Sequence, residues 1–221
     1  KMYKACIFDL DGTLTDTLES LSYSVNATLR EMGLGQITDE QCKAFVGNGA
    51  RRLLEKSIQA AGDPKGERIE EAMEIYGRIF KTYCTYHVAP YDGIVEMLKR
   101  LKQDGVQLAV LSNKPHLQTK SVIETYFEAD TFSCVQGQKD SIPRKPDPAA
   151  VFMIMDELQV SKEECVYIGD SEVDMRTGNA AGVHTIGVTW GFRSEQVLRE
   201  SNATYIVENA SQINQIVKGE K

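Results

Sequence analysis

The sequence has 221 residues, of which 25 are Lys or Arg and 32 are Asp or Glu, so its formal net charge is −7. Hydrophobic residues make up 42% and charged residues 26%, which is ordinary for a soluble protein with one large domain, or a core domain that carries a smaller one. The acidic balance argues against a nucleic-acid partner, because phosphate backbones are bound by clustered Lys and Arg.

The sequence predicts neither a membrane nor a secreted location. No run approaches the roughly 20 apolar residues of a membrane helix, and the first residues lack the zones of a signal peptide. The five cysteines are odd in number, lie far apart and form no CxxC pair, which argues against a zinc site and a disulfide framework. We therefore expect a cytoplasmic protein with no membrane partner.

A buried strand is predicted at residues 3–9, where a short apolar run ends in Asp, Gly and Thr. No strand pattern follows from about residue 15 to 88, and apolar residues recur there at spacings of three and four. The first such helix face runs from Leu14 to Met32. Thr38, with Gln41 three residues later, is typical of a capping box that opens a second, short helix.

Two more helices are predicted in this region. One covers residues 50–62 and is stopped by Gly62 and Pro64, and the other carries an apolar stripe from Ile69 to Tyr83. Four helices between one strand and the rest of the chain predict an inserted all-helical subdomain.

After Pro90, helices and strands alternate to the end of the chain. A helix leads to a strand at 106–112, and later strands are predicted at about 132–137, 164–169, 183–188 and 204–207. Such alternation favours parallel strands joined by right-handed crossovers, with helices on both faces. We predict an α/β fold with a Rossmann-like parallel sheet formed by residues 1–14 and 90–221, and an all-helical domain at residues 15–89.

Polar residues cluster directly after several predicted strands and in one later loop. In an open parallel sheet, ligands bind beyond the carboxyl ends of the strands, so these side chains are candidates for one site. They are Asp9, Asp11, Ser112, Asn113, Lys145, Asp170 and Asp174.

This set of side chains suits phosphoryl transfer. Converging carboxylates repel one another unless a cation joins them, and hard oxygen ligands of this kind suit Mg²⁺. A carboxylate can attack phosphorus to form an acyl phosphate, while a second acid protonates the leaving oxygen and later activates water. A hydroxyl, backbone N–H groups and a lysine can stabilise the phosphoryl oxygens.

Four segments resemble, in this order, the motifs of the haloacid dehalogenase-like phosphatase superfamily. They are DLDGT at 9–13, Ser112, Lys145 and GDSEVD at 169–174. That superfamily often inserts a helical cap after the first strand, so the resemblance extends over the whole chain and makes residues 15–89 the expected cap.

The resemblance implies Mg²⁺ as the cofactor and three acidic ligands for it. Asp9 would be the nucleophile and a metal ligand. Asp11 would be the general acid and base, with its backbone carbonyl also on the metal. Asp170 would complete the metal site.

Other roles follow from the same resemblance. Ser112 and Asn113 would bind the phosphoryl group, Lys145 would neutralise it, and Asp174 would orient Lys145 or a metal-bound water. Taken alone, each of these residues would be a turn, a helix cap or an exposed lysine. Their joint placement favours the site, although for Asp174 the role of an ordinary acid at a helix N-terminus stays open.

A glycine-rich loop in the expected cap, VGNGA at 46–50, is the candidate for substrate recognition. Its glycines let backbone N–H groups approach a ligand, and Arg51 or Arg52 could pair with a substrate carboxylate or second phosphate. The alternative is an ordinary turn that opens an amphipathic helix. The candidate substrate-binding residues here are Gly47, Asn48, Gly49 and Arg51.

The segment 190–193 has two possible roles, and the three histidines are not candidates for the site. The segment from Trp190 to Arg193 follows the strand HTIGVT, and either walls the site or packs on the surface. The three histidines show no ligand spacing and are expected to be structural or exposed.

The VGNGA loop, SNKP at 112–115 and the segment GVTWGFR resemble the phosphoglycolate phosphatase branch of the superfamily. This implies an Mg²⁺-dependent phosphatase that hydrolyses a small phosphomonoester, with 2-phosphoglycolate as the first choice, through an aspartyl phosphate. A pyrophosphatase or a beta-phosphoglucomutase-like phosphotransferase is the alternative within the superfamily. We expect a small phosphorylated metabolite as the partner and a monomer or small homo-oligomer.

A receiver-like phospho-acceptor module is the alternative from another functional class. Such modules also combine acidic residues, Mg²⁺, a hydroxyl and a lysine on a parallel sheet. Their phosphorylated Asp follows a later strand, however, and they lack a helical insert after the first one. The order of the motifs therefore argues against this alternative.

Overall fold

Short apolar segments form the strands of the structure, which is a computed structural model and describes residues 2–220. Residues 1 and 221, at the ends of the predicted core ranges, lie outside the described residues. In chain order the strands are β1 (Ala5–Phe8), β2 (Thr15–Asp16), β3 (Ala89–Pro90), β4 (Gln107–Pro115), β5 (Cys134–Gln138), β6 (Cys165–Gly169), β7 (His184–Val188) and β8 (Tyr205–Val207).

Within residues 2–220, six strands pair in the order β5-β4-β1-β6-β7-β8, and every neighbouring pair is parallel. Phe8 of the central strand β1 aligns with Val110 of β4 and with Ile168 of β6. The chain first builds the sheet on one side of β1 and then crosses to the other side with β6. This reversal leaves a crevice at the carboxyl end of β1, which is where open parallel sheets bind ligands.

Helices fill the connections between the strands. No helix of the described chain is long and apolar enough to span a bilayer. In chain order the helices are α1 (Leu18–Glu31), α2 (Asp39–Phe45), α3 (Gly49–Ala61), α4 (Ile69–Tyr83), α5 (Ile94–Gln103), α6 (His116–Tyr126), α7 (Ala149–Leu158), α8 (Glu172–Ala181), α9 (Glu195–Glu200) and α10 (Ser211–Lys218).

The sheet buries both of its faces, because successive side chains of a strand point to opposite sides. Cys6 and Phe8 of β1 belong to one buried cluster, which includes residues of α5, α6 and α10. Ala5 and Ile7 belong to another, which includes residues of α7. The predicted α/β fold, a parallel sheet flanked by helices, is confirmed.

Helices α1 to α4 bury a third cluster, separate from the two sheet clusters. Leu29 and Leu54 are fully buried in it, as the apolar spacings of this region predicted. The capping box of Thr38 and Gln41 is confirmed at the start of α2: Gln41 N–H donates to Thr38 Oγ1 over 3.1 Å, and Thr38 N–H donates to Gln41 Oε1 over 2.9 Å.

Residues 14 to 16 differ from the prediction. Leu14 does not lie on a helix face, because α1 begins only at Leu18 and Leu14 is buried in the sheet cluster around Phe8. Thr15 pairs with Pro90 in the antiparallel β2–β3 pair, whose strands are too short to show an alternating pattern. The two ends of the segment 15–89 therefore lie side by side, and its division from the rest of the chain stays a prediction.

Candidate active site

Asp9 and Asp11 follow β1 directly and lie at the crevice. Leu10 N–H donates to Asp9 Oδ1 over 2.7 Å. Asp11 Oδ1 accepts from Thr17 Oγ1 over 2.6 Å and from Lys114 Nζ over 2.7 Å. Both carboxylates line a cavity between the sheet edge and helices α1, α3 and α4.

The ammonium of Lys145 joins the ends of three strands. Its side chain is 2% exposed, and Nζ lies 2.9 Å from Asp174 Oδ1 and 3.1 Å from Asp9 Oδ1. Nζ also donates to Tyr167 Oη over 2.8 Å and to the Leu111 carbonyl over 3.1 Å. Burial acts to lower the pKa of Lys145, but the carboxylates of Asp174 and Asp9 raise it well above its usual value. The lysine is therefore a fixed positive charge.

Asp174 lies in the first turn of α8 and uses both carboxylate oxygens within the protein. Oδ1 accepts from Lys145 and from Tyr167, and Oδ2 accepts from the N–H groups of Asp170 and Ser171 and from the Ser171 hydroxyl. Burial acts to raise the pKa of Asp174, yet Lys145 and these hydrogen bonds hold it below its usual value. Asp174 thus contacts Lys145 directly and has little capacity left for another ligand. Orienting Lys145, one of the two roles expected from the sequence, stays a prediction.

Asp170 follows β6 and is oriented by two loops. Its Oδ1 accepts from Thr13 Oγ1 over 3.0 Å, and its Oδ2 accepts from Phe192 N–H over 2.9 Å. Burial and the nearby carboxylate of Asp174 raise the pKa of Asp170 to about 7. The site therefore holds more negative charge than its own lysines compensate.

Two glycines allow the loops to approach Asp170. Gly12 has a φ of +81°, and a Cβ there would overlap the Asp170 carboxylate. A Cβ on Gly191 would overlap both the Asp170 side chain and the Gly12 carbonyl. Any side chain at either position would displace the carboxylate.

The donor set fits a hard divalent cation. Asp9, Asp170 and Asp174 each offer one oxygen, and these atoms lie within 4.8 Å of one another. Burial and Asp174 raise the pKa of Asp9 well above its usual value, and Lys145 offsets this only in part. A cation would relieve this repulsion, and carboxylate oxygens suit Mg²⁺. Because Asp174 is already saturated, Asp9 and Asp170 are the available side-chain ligands.

Ser112 and Asn113 lie at the end of β4, beside Asp9. Ser112 Oγ accepts from Lys114 N–H over 3.1 Å, which leaves its proton available to an anion. The Asn113 amide holds two loops: Nδ2 donates to the carbonyls of Gly47 and Lys145, and Oδ1 accepts from Lys145 N–H. The side chain of Asn113 therefore positions Lys145 and the cap, although the residue also lines the cavity.

The glycine-rich loop reaches the cavity, but the predicted arginine does not. Gly47 and Gly49 line the cavity, whereas Asn48 contacts the core through its carbonyl, which accepts from Arg144 over 2.8 Å. Arg51 is 48% exposed and pairs with Glu70 over 2.6 Å and with Glu55 over 3.4 Å. Its position on the outer face of α3, beside two glutamates, keeps it from the cavity.

Arg193 joins the segment after β7 to the end of α2, a contact that the sequence did not reveal. Its guanidinium pairs with Glu172 of α8 over 3.0 Å and donates to the carbonyls of Lys43 over 2.5 Å and Val46 over 2.7 Å. Carbonyl groups at the end of a helix such as α2 lack intrahelical partners and carry partial negative charge, which suits a guanidinium. Only the fold brings these elements together.

The segment from Trp190 to Arg193 both packs against the sheet and lines the cavity. Trp190 Nε1 donates to the Thr13 carbonyl over 3.0 Å and packs against the sheet cluster, while Phe192 and Arg193 line the cavity. Of the three histidines, His116 Nδ1 accepts from Gly137 N–H over 3.0 Å. No histidine of the described residues lines this cavity.

The cap side of the cavity is largely apolar. Sequence periodicity assigned these side chains to a helix core, and the structure shows that the same stripe also faces the site. The side chains are Leu21, Leu53, Tyr76 and Phe80.

Comparisons with known proteins agree with this geometry. A family described as "Haloacid dehalogenase-like hydrolase" matches residues 6–188. The Phosphoglycolate phosphatase of Pseudomonas savastanoi pv. phaseolicola is 31% identical over 212 residues, which cover 95% of this chain and 78% of that protein. The Phosphoglycolate phosphatase of Haemophilus influenzae is 29% identical over 97% of this chain and 98% of that protein. A crystal structure from Lactobacillus delbrueckii subsp. bulgaricus is 31% identical, with both chains fully covered and a TM-score of 0.90.

Replacing Arg193 with Met should loosen the loop between α2 and α3. The variant loses charge-assisted hydrogen bonds to the carbonyls of Lys43, Ala44 and Val46, so amide exchange of residues 46–50 should accelerate by about tenfold or more in hydrogen–deuterium exchange. Arg199→Met is the matched control, since Arg199 pairs with Glu195 within α9. Equal exchange in the two variants would show that Arg193 does not hold the cap.

Proposed function

The chain belongs to the haloacid dehalogenase-like hydrolases, as its four motifs predicted, and we propose that it is an Mg²⁺-dependent phosphatase whose preferred substrate is 2-phosphoglycolate. The main support for this function is the environment of the Asp9 carboxylate. Its Oδ1 contacts Leu10 N–H and Lys145 Nζ, while no residue of 2–220 donates to Oδ2. A partly buried carboxylate with one fixed and one free oxygen is suited to attack phosphorus. The phosphoglycolate assignment is supported by the names of the relatives.

Asp9, Asp170 and the backbone carbonyl of Asp11 would hold the Mg²⁺. When bound, the ion supplies positive charge at the phosphoryl oxygens. Ser112 would donate to the same oxygens and Lys145 would contribute its fixed positive charge, since both line the cavity beside Asp9. Charge that moves onto these oxygens during transfer is thereby stabilised by groups already in place.

Transfer to the enzyme is the first step. Asp9 Oδ2 forms a bond to phosphorus as the bond between phosphorus and the ester oxygen breaks. Asp11 gives its proton to the departing oxygen, which leaves as an alcohol. Thr17 and Lys114 hold the Asp11 carboxylate in place for this transfer.

Hydrolysis of the aspartyl phosphate is the second step. Asp11 takes a proton from a water molecule whose oxygen attacks phosphorus, and the bond between phosphorus and Asp9 Oδ2 breaks. Inorganic phosphate leaves and both carboxyl groups return to their first state. Contacts of Asn113, Arg144 and Arg193 with the loop between α2 and α3 keep the cap over the site and limit bulk water.

Asp9→Asn should abolish turnover without unfolding the protein, because the amide keeps the shape of the side chain but is not a nucleophile. The expected loss of kcat is about 10⁴-fold or more for p-nitrophenyl phosphate with Mg²⁺. Asp92→Asn, at an exposed position, is the control. Retained activity in Asp9→Asn, with an unchanged circular dichroism spectrum, would remove Asp9 from the mechanism.

A panel of phosphate esters tests the substrate. We expect kcat/KM for 2-phosphoglycolate to exceed the values for pyrophosphate and hexose phosphates by about 100-fold, equivalent to about 2.7 kcal/mol of transition-state discrimination. EDTA should abolish every activity, and added Mg²⁺ should restore it. Pyrophosphate or a hexose phosphate as the best substrate would overturn the choice of substrate, and activity that survives EDTA would overturn the metal requirement.

A further inference from the structure

Lys114 is a buried cation in the cavity that the proposed chemistry does not fully use. Its side chain is 2% exposed, and Nζ donates to Asp11 Oδ1 over 2.7 Å. An ammonium carries three donors, and Asp11 is its one hydrogen-bond acceptor among residues 2–220. The ammonium also lies 5.1 Å from the centre of the Phe80 ring. Two of its donors therefore remain for a ligand in the cavity.

Tyr76 brings a second unused donor to the same cavity. It is 3% exposed and stacks on Phe80 with the ring centres 4.9 Å apart. Its hydroxyl has no hydrogen-bond partner among the described residues and is not a fully buried atom, so it is open to the cavity that Tyr76 lines. A ligand with a hydrogen-bond acceptor would supply that partner.

The other cationic side chains near the cavity already have partners within the protein. Lys145 is saturated by Asp9, Asp174, Tyr167 and a backbone carbonyl. Arg193 is bound to Glu172 and to the cap. Neither Arg51 nor Arg52, the candidates from the sequence for a substrate carboxylate or second phosphate, lines the cavity, so an anionic group of the substrate needs another partner there.

The proposed role of Asp11 determines which part of the substrate lies beside Lys114. In the proposed mechanism, Asp11 donates its proton to the leaving oxygen, so that oxygen must come within hydrogen-bond reach of the Asp11 carboxylate. Because Lys114 Nζ lies 2.7 Å from that carboxylate, the alcohol part of the substrate is placed next to the ammonium. Leu21 and Leu53, which also line the cavity, offer an anion no compensation.

We propose that Lys114 and Tyr76 form the leaving-group subsite and select phosphomonoesters whose alcohol carries a carboxylate close to the ester oxygen. One carboxylate oxygen accepts from the ammonium and the other from the tyrosine hydroxyl. A buried carboxylate without such partners would be strongly disfavoured. The proposal rests on the proposed phosphatase function and names the residues that set its substrate class.

The test compares two substrates that differ only at the proposed contact. In ethyl phosphate a methyl group stands where 2-phosphoglycolate has its carboxylate. For purified full-length enzyme with Mg²⁺, the ratio of kcat/KM for 2-phosphoglycolate to kcat/KM for ethyl phosphate isolates recognition of the carboxylate. Any effect of Lys114 on Asp11 is common to both substrates and cancels in the ratio.

Lys114→Met should lower this ratio by about 10- to 100-fold, as expected for a lost hydrogen bond to a charged group. Tyr76→Phe should lower it about 3- to 10-fold, and Lys114→Arg should recover part of the loss. Lys99→Met, at an exposed position on α5, is the matched control and should leave the ratio and both rates unchanged.

The other outcomes distinguish failure of the subsite proposal from failure of the phosphatase function. If Lys114→Met lowers both rates equally, Lys114 only positions Asp11 and the subsite proposal is overturned. A wild-type enzyme that hydrolyses both esters with equal efficiency also overturns the subsite but leaves the phosphatase function intact. A wild-type enzyme that hydrolyses neither ester, nor p-nitrophenyl phosphate, contradicts the function itself. If Lys114→Met does not fold, the ratios of Tyr76→Phe and Lys114→Arg decide.

Discussion

The ammonium of Lys145, buried between the carboxylates of Asp9 and Asp174, is the contact on which the rest of the site depends. It joins the ends of β1 and β6, the first turn of α8 and the loop before α7 at one point. Each of these charges would be costly to bury alone, and removing one partner would leave the others uncompensated. This pairing occupies Asp174, fixes one oxygen of Asp9 and leaves the second oxygen of Asp9 free.

The same contact explains how an acidic chain can bind an anion. The formal net charge of −7 argues against a nucleic-acid partner, yet part of that excess lies in the carboxylates around Lys145. Burial, and after it the nearby carboxylate of Asp174, raises the pKa of Asp170 to about 7, which favours a divalent cation at this point. With the cation bound, Lys145 and Lys114 make the cavity suitable for a doubly anionic ester. Net charge alone says little about this local field.

Sequence patterns were sufficient for the fold and for the convergence of the four motifs at one sheet edge. Parallel strands bring their carboxyl ends to one edge, so motifs far apart in the chain, at Asp9, Lys145 and Asp170, could be expected to meet there. The small β2–β3 pair and the position of Leu14 could not be expected, because two-residue strands carry no periodicity.

The residues around the rest of the cavity could be identified only from the structure. Packing of α3 beside α4 places Arg51 next to Glu70, and the position of α2 near the segment after β7 lets Arg193 reach the end of α2. Periodicity assigns Tyr76 to a helix core and cannot show that the same stripe also faces a cavity. Lys114 stands inside a motif, but its partner Asp11 is 103 positions away in the chain, so their pairing is visible only in the folded molecule.

The central claim is that the free oxygen of Asp9 takes the phosphoryl group. The most direct measurement is mass spectrometry of enzyme quenched with acid during turnover of 2-phosphoglycolate, followed by peptide mapping. We expect a phosphoryl group on the peptide that contains Asp9, lost on treatment with hydroxylamine. A phosphoryl group mapped instead to Ser112, or turnover with no phosphorylated enzyme at any quench time, would contradict it.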